Sequence, residues 1–165
     1  MRSLEELIRE QTNLSVTQVA HLQHLASDWQ LIADLSFADL AIWVPIKDSG
    51  FIAMSHVRAA TAATVFPKDF EGEIRADLPN GESVESFPIA FNGQVIAQLN
   101  RHRNPMVTRS LGRLESTYQE IAQQLIEMVG EGTFPFDFAI SSLNPSPRVG
   151  DGFIRLDRSG VIIYA

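Results

Sequence analysis

Three short groups of residues in this 165-residue chain carry ligating or charged chemistry at a defined spacing. His56 and Arg58 stand two apart at the end of an apolar run. In a strand that alternation puts both side chains on one face with Met54, where a cation can meet a phosphate or carboxylate. The plainer alternative is a solvated or salt-bridged pair. His21 and His24 lie three apart in a helical pattern and could touch one metal ion, although no third carboxylate or thiolate stands near them, which favours a solvated helix face. Arg101-His102-Arg103, beside Asn104-Pro105, is either an anion site or a charged loop end. Thiol chemistry is excluded, because the chain has no cysteine to act as nucleophile, redox sensor or soft-metal ligand.

Composition narrows the partners. With 45% apolar and 20% charged residues the chain reads as a soluble globular protein, and its net charge of -7 repels phosphate backbones and anionic lipid, so neither nucleic acid nor membrane is expected as a partner. Met1-Arg2-Ser3-Leu4-Glu5-Glu6 lacks the apolar stretch of a secretion signal, and no run approaches the roughly 18 apolar residues that span a bilayer. The expected location is the cytoplasm.

The elements that must hold these residues follow from local signals. Ser3-x-x-Glu6 and Ser15-x-x-Gln18 have the reciprocal spacing of capping boxes, so two helices follow them. The second is expected over 16–35, with Leu22, Leu25, Trp29 and Ile32 spaced 3, 4, 3 along one stripe. From residue 38 the period changes. Runs at 40–44 and 51–54 around Lys47-Asp48-Ser49-Gly50 predict a hairpin, and 84–91 and 94–100 around Asn92-Gly93 predict a second with a type I′ turn. Between them, 59–82 reads as loop with a short strand near Ile74, because Pro67, Gly72 and Pro79 interrupt every regular pattern.

A closing helix over 110–129 carries Leu111, Leu114, Tyr118, Ile121, Leu125 and Met128 as a heptad seam. Six such side chains represent about 9 to 18 kcal/mol of burial as an upper bound. The seam therefore packs on its own sheet, or pairs with the same helix of a second subunit or with the long N-terminal helix. Gly130-Glu131-Gly132 ends it. The fold class is α+β: an antiparallel sheet flanked by N-terminal helices and a long C-terminal helix. The expected division is a sensor domain at 1–132, a linker at 133–152, and at 153–165 the first hairpin of a further domain, with Arg158-Ser159-Gly160 as its turn.

Particular stretches are more specific than any period. Asp28-Trp29-Gln30-Leu31-Ile32-Ala33-Asp34-Leu35-Ser36-Phe37-Ala38-Asp39, Glu131-Gly132-Thr133-Phe134-Pro135, and the run from Ser146-Pro147-Arg148-Val149-Gly150-Asp151-Gly152 to Asp157 resemble the N-terminal GAF domain and PAS start of PdtaS-type sensor histidine kinases. That resemblance implies a cytosolic homodimeric kinase, ordered GAF, PAS, phosphoacceptor region and ATP-binding domain. It autophosphorylates on histidine and passes the phosphoryl group to a response regulator of the RNA-binding antiterminator type. The chain holds no H-H-R-x-K-N-N-L phosphoacceptor box and no Asn- and Gly-rich ATP-binding boxes, so ATP and magnesium belong to a kinase domain outside it. No cofactor is expected in the chain beyond a small ligand such as a cyclic nucleotide.

The resemblance also implies where a ligand would sit. GAF domains hold small molecules between the open face of the sheet and the loops above it, which makes Trp43, Met54, His56, Arg58, Phe66, Phe91 and Gln98 the candidate lining. Packing through Leu22, Leu25, Trp29 and Ile32 and through Leu114, Tyr118, Ile121, Leu125 and Met128 would carry the signal between subunits. There are two departures from the family pattern. The chain passes directly from Asp77-Leu78 to Pro79-Asn80 where relatives carry a longer segment, and it has Ala53 and Val57 where relatives can carry cysteines. Ligand sensing and a ligand-free dimer scaffold both remain open. Catalysis of the free methionine sulfoxide reductase type, on the same fold, needs the cysteines this chain lacks.

Overall fold

A computed structural model describes residues 3–106, 110–135, 148–151 and 154–164. Both predicted capping boxes form: Ser3 caps α1 (Leu4–Gln11) and Ser15 caps α2 (Val16–Asp28). The long helix expected over 16–35 is two helices. The chain leaves the helical path at Trp29, whose ψ is -4°, and resumes as α3 (Gln30–Ser36). Residues 32–36 are all buried in α3, polar Asp34 and Ser36 among them, so this turn enters the interior instead of lying along it. It ends at Phe37, a non-glycine residue held left-handed at φ 50°, whose ring stacks on Tyr118 at 6.4 Å.

Five antiparallel strands form one sheet in the order β3-β2-β1-β5-β4. The strands are β1 (Asp39–Pro45), β2 (Phe51–Val57), β3 (Ile74–Arg75), β4 (Val84–Phe91) and β5 (Gln94–His102). The Asn92-Gly93 turn has the two positive φ angles its sequence demands, 50° and 76°. Gly50, at φ 102°, closes the first hairpin so tightly that a Cβ would stand 2.4 Å from the Arg75 carbonyl oxygen. Only glycine lets β3 join the edge there.

The helices cover one face of the sheet. Val19, Leu22, Leu25, Trp29 and Ile32 pack with Leu40, Ile42, Val44, Ile52, Met54, Ile89 and Leu99 in the main core. α4 (Arg113–Glu131) buries Ala122, joins this core through Ile126 and Val129, and stops at left-handed Gly132. A hairpin of β6 (Arg155–Leu156) and β7 (Ile162–Tyr164) follows, its turn held by the Asp157 carboxylate. The expected linker over 133–152 lies largely outside the described residues. Arg155 Nη1 stands 3.7 Å from the Glu120 carboxylate on α4.

The opposite face carries a smaller core of Ala41, Trp43, Ala53 and Phe66, with Phe51, Val65, Phe70 and Leu78 against it. The segment 59–75 forms this layer with little regular structure, so its backbone groups need other partners. Two buried aspartates supply them. Asp39 accepts from the Ala59 N–H, the Thr64 hydroxyl and the Val65 N–H; Asp34 accepts from the Ala60 N–H and from Gln30. Ala53 and Gly72–Glu73 add two backbone bonds of 2.8 and 2.9 Å. Asp39→Asn turns an amide donor toward these N–H groups, and is expected to lower unfolding free energy by about 2 kcal/mol or more. Urea denaturation checks this, and a loss under about 0.5 kcal/mol would remove Asp39 from the role given to it here.

Candidate functional site

Between the sheet and the 59–75 layer lies a cavity of about 220 Å³. Trp43 and His102 contribute from the sheet, Arg75 from the edge strand, and Val65, Phe66, Pro67, Lys68, Phe70, Glu73 and Pro79 from the covering segment. Trp43 is 1% exposed and lies roughly parallel to Phe70 at 5.8 Å, with the Arg75 guanidinium 5.2 Å from its ring. Arg75 is in turn held by Glu73 at 2.7 Å. The indole nitrogen of Trp43 and Nε2 of His102 are both buried with no hydrogen-bond partner. Both have under 1 Å² of accessible surface, as do Asn100 Oδ1 and His56 Nδ1 of the same face, likewise without a hydrogen bond, so they lie sealed behind the cavity wall. A wider groove of about 660 Å³ between β4, β5 and α4 is lined by polar and charged side chains, and its arginines, Arg101 and Arg103, already share Glu85.

Of the residues expected to line a ligand, Trp43 and Phe66 meet in this cavity. Met54 does not. Ile42 pairs with Ser55 and Trp43 with Ala53, so Met54 is the extra residue of a β-bulge. That insertion turns Met54 to the helix-covered core and leaves His56 with Ala41 on the other face, which separates two side chains that simple alternation had put together. Phe91 also packs on the helix side, its ring 4.7 Å from His21. Gln98 pairs with Trp43 across β1 and β5 but is not part of the lining.

His56 and Arg58 bind protein, and so are not free to meet an anion. The His56 side chain, 4% exposed, stacks on Phe70 at 4.6 Å and lies 2.7 Å from Glu71 and 3.3 Å from Asp69. Arg58 donates to the Phe66 carbonyl and to Asp69, at 3.0 and 2.9 Å. The Arg58 hydrogen bond and charge hold the Asp69 carboxyl below its usual range, with His56 adding to the effect. His56 and Arg58 thus fasten the cover to the sheet.

The Arg101-His102-Arg103 triplet is split by the alternation of β5. Arg101 donates to Glu85 and Gln123 beneath α4, over the Phe87 ring, whereas His102 lines the cavity, 5.0 Å from Phe66. Burial raises the Glu85 carboxyl, but Arg101 and Arg103 outweigh it and the net shift is downward. On α2, His24 lies 3.5 Å from Asp28, and His21 is held below its usual pKa by burial and by His24, despite a backbone hydrogen bond at Ala90. No cluster of three metal-ligating side chains occurs among the described residues.

Leu22, Leu25, Trp29 and Ile32, expected to meet a second subunit, are at most 2% exposed within one chain. They are spent on its own core and offer no surface to a partner. The expected seam divides: α4 starts at Arg113, so Leu111, 44% exposed, lies before it; Leu114 in its first turn is 50% exposed, whereas Leu125 and Met128 touch the core. Sequence reading missed Phe70, Glu73, Arg75 and Pro79, which lie in the stretch with no regular pattern. It did name His102, and counting two and four residues on from Gln98 along β5 would have put Asn100 and His102 on the Trp43 face.

An antiparallel five-stranded sheet with helices on one face and a ligand-sized cavity under a loop layer on the other defines an α+β sensory domain of the GAF type. The family profile described as "Histidine kinase PdtaS, GAF domain" matches residues 4–83, and the chain belongs to that family. It is 36% identical to the sensor histidine kinase PdtaS of Mycobacterium tuberculosis and 34% identical to that of Mycolicibacterium smegmatis, in each case over all of this chain and 38% of the relative. A solved structure titled "Sensor region of a sensor histidine kinase" superposes with a TM-score of 0.83 at 39% identity, covering 99% of this chain and 64% of that one. The chain thus spans little more than a third of the length of the curated kinases it matches. No helix among the described residues is long and apolar enough to cross a membrane.

Burial pushes the His102 pKa down to about 4, Asp39 opposing and Arg75 adding to the shift. A histidine whose folded pKa lies below its unfolded value of about 6.5 stays neutral in the fold while the unfolded chain takes up a proton. Its contribution is complete above pH 6.5 and is lost as pH falls toward 4. Thermal melts of the wild type and His102→Gln at intervals from pH 7.5 to 4 are expected to show a flatter acid limb in the variant. Parallel profiles would mean that His102 is not held neutral by the fold.

Proposed function

We propose that this chain is the sensory module of a cytoplasmic two-component histidine kinase, which takes a small molecule into the cavity under the 59–75 layer and biases the kinase through the packing of two subunits. The observation that carries the sensing half is the cavity of about 220 Å³ between the sheet and the 59–75 layer, lined mainly by aromatic and apolar groups. In this reading 1–132 is the sensor, 133–152 the connector and 153–165 the start of a PAS domain. Histidine autophosphorylation, with ATP and magnesium, takes place in a downstream kinase domain that then hands the phosphoryl group to a response regulator.

Transmission falls to α4. Its outer stripe of Leu114, Tyr118 and Ile121, continuing into Leu125 and Met128, combines exposed and half-buried apolar side chains at heptad spacing, the pattern of a helix that pairs across subunits. Tyr118 is stacked on Phe37, at the end of α3, and α3 also holds Asp34, which fastens the cavity's cover. A change in the cover therefore has a short packed route to the seam.

The second reading, a scaffold that dimerises without ligand, draws on one feature. The alignment with the mycobacterial kinases runs over 193 positions against 165 residues here, so those relatives carry residues with no counterpart in this chain. A wall missing from the cavity would weaken binding.

Size exclusion with light scattering, and melting curves with cyclic mono- and dinucleotides and small neutral heterocycles, separate the two. The sensor reading expects a dimer whose Tm rises by several degrees with one compound, as binding to the native state alone requires. A dimer indifferent to all of them supports the scaffold. Ile121→Asp is expected to give a monomer of unchanged helical content, and a folded dimer after that change would overturn transmission through α4.

A further inference from the structure

We infer that the cavity takes a small aromatic acid, with its flat ring against Phe70, Pro67 and Pro79 and its carboxylate at the rim with Lys68 and Arg75. This rests on the sensor reading above and names the chemistry that would be sensed. Charge is the first argument. Three ions line the cavity: Lys68, Glu73 and Arg75. Glu73 and Arg75 neutralise each other through a bond of 2.7 Å that uses only Nε of the guanidinium. The two terminal nitrogens of Arg75 and the Lys68 ammonium have no hydrogen bond or ion pair among the described residues. Two cations against one carboxylate, with His102 neutral at physiological pH, leave the lining with a net positive charge.

The chain as a whole has a net charge of -7, but exposed charges are screened beyond roughly 8 Å at physiological ionic strength, so the cations of the wall decide the local sign. Nor do the neighbouring carboxylates compete for them. Asp69 is bound to Arg58 and lies beside His56, and Glu71 lies against His56.

Placement is the second argument. Lys68 and Arg75 are both exposed, so they act at the mouth, where an anion keeps part of its water. The floor is closed by buried Trp43 and Phe66, where an unpaired charge would be costly. A ligand with an apolar ring inside and a negative group outside matches that division. A cation meets repulsion from Lys68 and Arg75, and a neutral ring gains burial alone.

Size and shape are the third. An apolar cavity of about 150 Å³ is enough for benzene, and about 220 Å³ leaves room for one ring with a short substituent. It falls below the roughly 300–1,000 Å³ of sites that enclose drug-sized ligands, so a dinucleotide would lie mostly outside. Phe70 is half-buried, and its ring is held in place by Trp43, parallel to it within 17°, and by Phe66, edge-on at 77°. With Pro67 and Pro79 it offers fixed faces on which a planar ring makes more contact than a puckered one.

The test uses the ¹⁵N-labelled 165-residue chain and four probes. These are benzoate, its neutral counterpart benzamide, cyclohexanecarboxylate as an acid without a flat ring, and benzylamine as a cation. Benzoate is expected to move the amide signals of Val65, Phe66, Lys68 and Phe70 saturably, with a Kd of about 1 mM, as so small a ligand allows. Leu22 and Leu25, in the helix-side core, are the internal controls. Benzamide, cyclohexanecarboxylate and benzylamine should each bind about threefold more weakly or worse. Lys68 is exposed, so Lys68→Gln keeps the fold; it should weaken benzoate about threefold and leave benzamide unchanged. Benzamide or cyclohexanecarboxylate binding as tightly as benzoate, or a preference for benzoate over benzamide that Lys68→Gln does not reduce, overturns the inference and leaves the sensor reading standing. So does silence from benzoate when a compound of the melting panel raises Tm. Silence from all four probes together with an unchanged Tm across that panel overturns both.

Discussion

The Asp39 carboxylate joins the two layers of this domain. It stands at the start of the central strand, 2% exposed, and a bare carboxylate there would cost several kcal/mol. Three donors from 59–65 converge on it, and Asp34 takes a fourth from Ala60. In return a segment with little helix or strand of its own is held over the sheet by charge-assisted bonds, which are roughly twice as strong as neutral ones. The cover, the second core and the cavity all follow from that attachment.

Once the cover is fastened, the charges on this face are largely spent on structure. Asp69 and Glu71 draw in His56, Arg58 reaches the Phe66 carbonyl, and Glu73 sets Arg75 over Trp43. What remains inside is mainly aromatic and apolar surface. A surface rich in charge therefore encloses a nearly neutral site, because each ion is worth more paired at the rim than unpaired within.

On the far side of the sheet the helices seal their own core, and α4 keeps a stripe of apolar side chains turned partly outward. The same helix touches α3 through the Phe37–Tyr118 stack, and α3 touches the cover through Asp34. Cavity, cover and outer helix face thus form one packed series, with discrete contacts that a bound ring could alter.

Local sequence settled much of this. Two capping boxes, the Asn92-Gly93 turn, all five strands, the short one at Ile74 included, and the closing helix are short-range features, decided by residues within a few positions of one another, and they stand within a few residues of where the spacing put them. Trp43 and Phe66 came into view only through the resemblance to the GAF family. Tertiary structure alone decided the rest. The bulge at Met54 depends on how β1 and β2 pair, and one inserted residue reversed the face on which Met54 lies relative to His56. The break at Trp29 depends on what α3 buries, and that burial removed the α2–α3 stripe from any subunit surface. The roles of His56, Arg58, Arg75 and His102 depend on a cover whose hydrogen bonds span about twenty or more residues, from Asp39 to Ala59 and from Asp34 to Ala60. Periodicity does not reach that far, because which distant group satisfies a buried charge is settled only when the chain has closed around it.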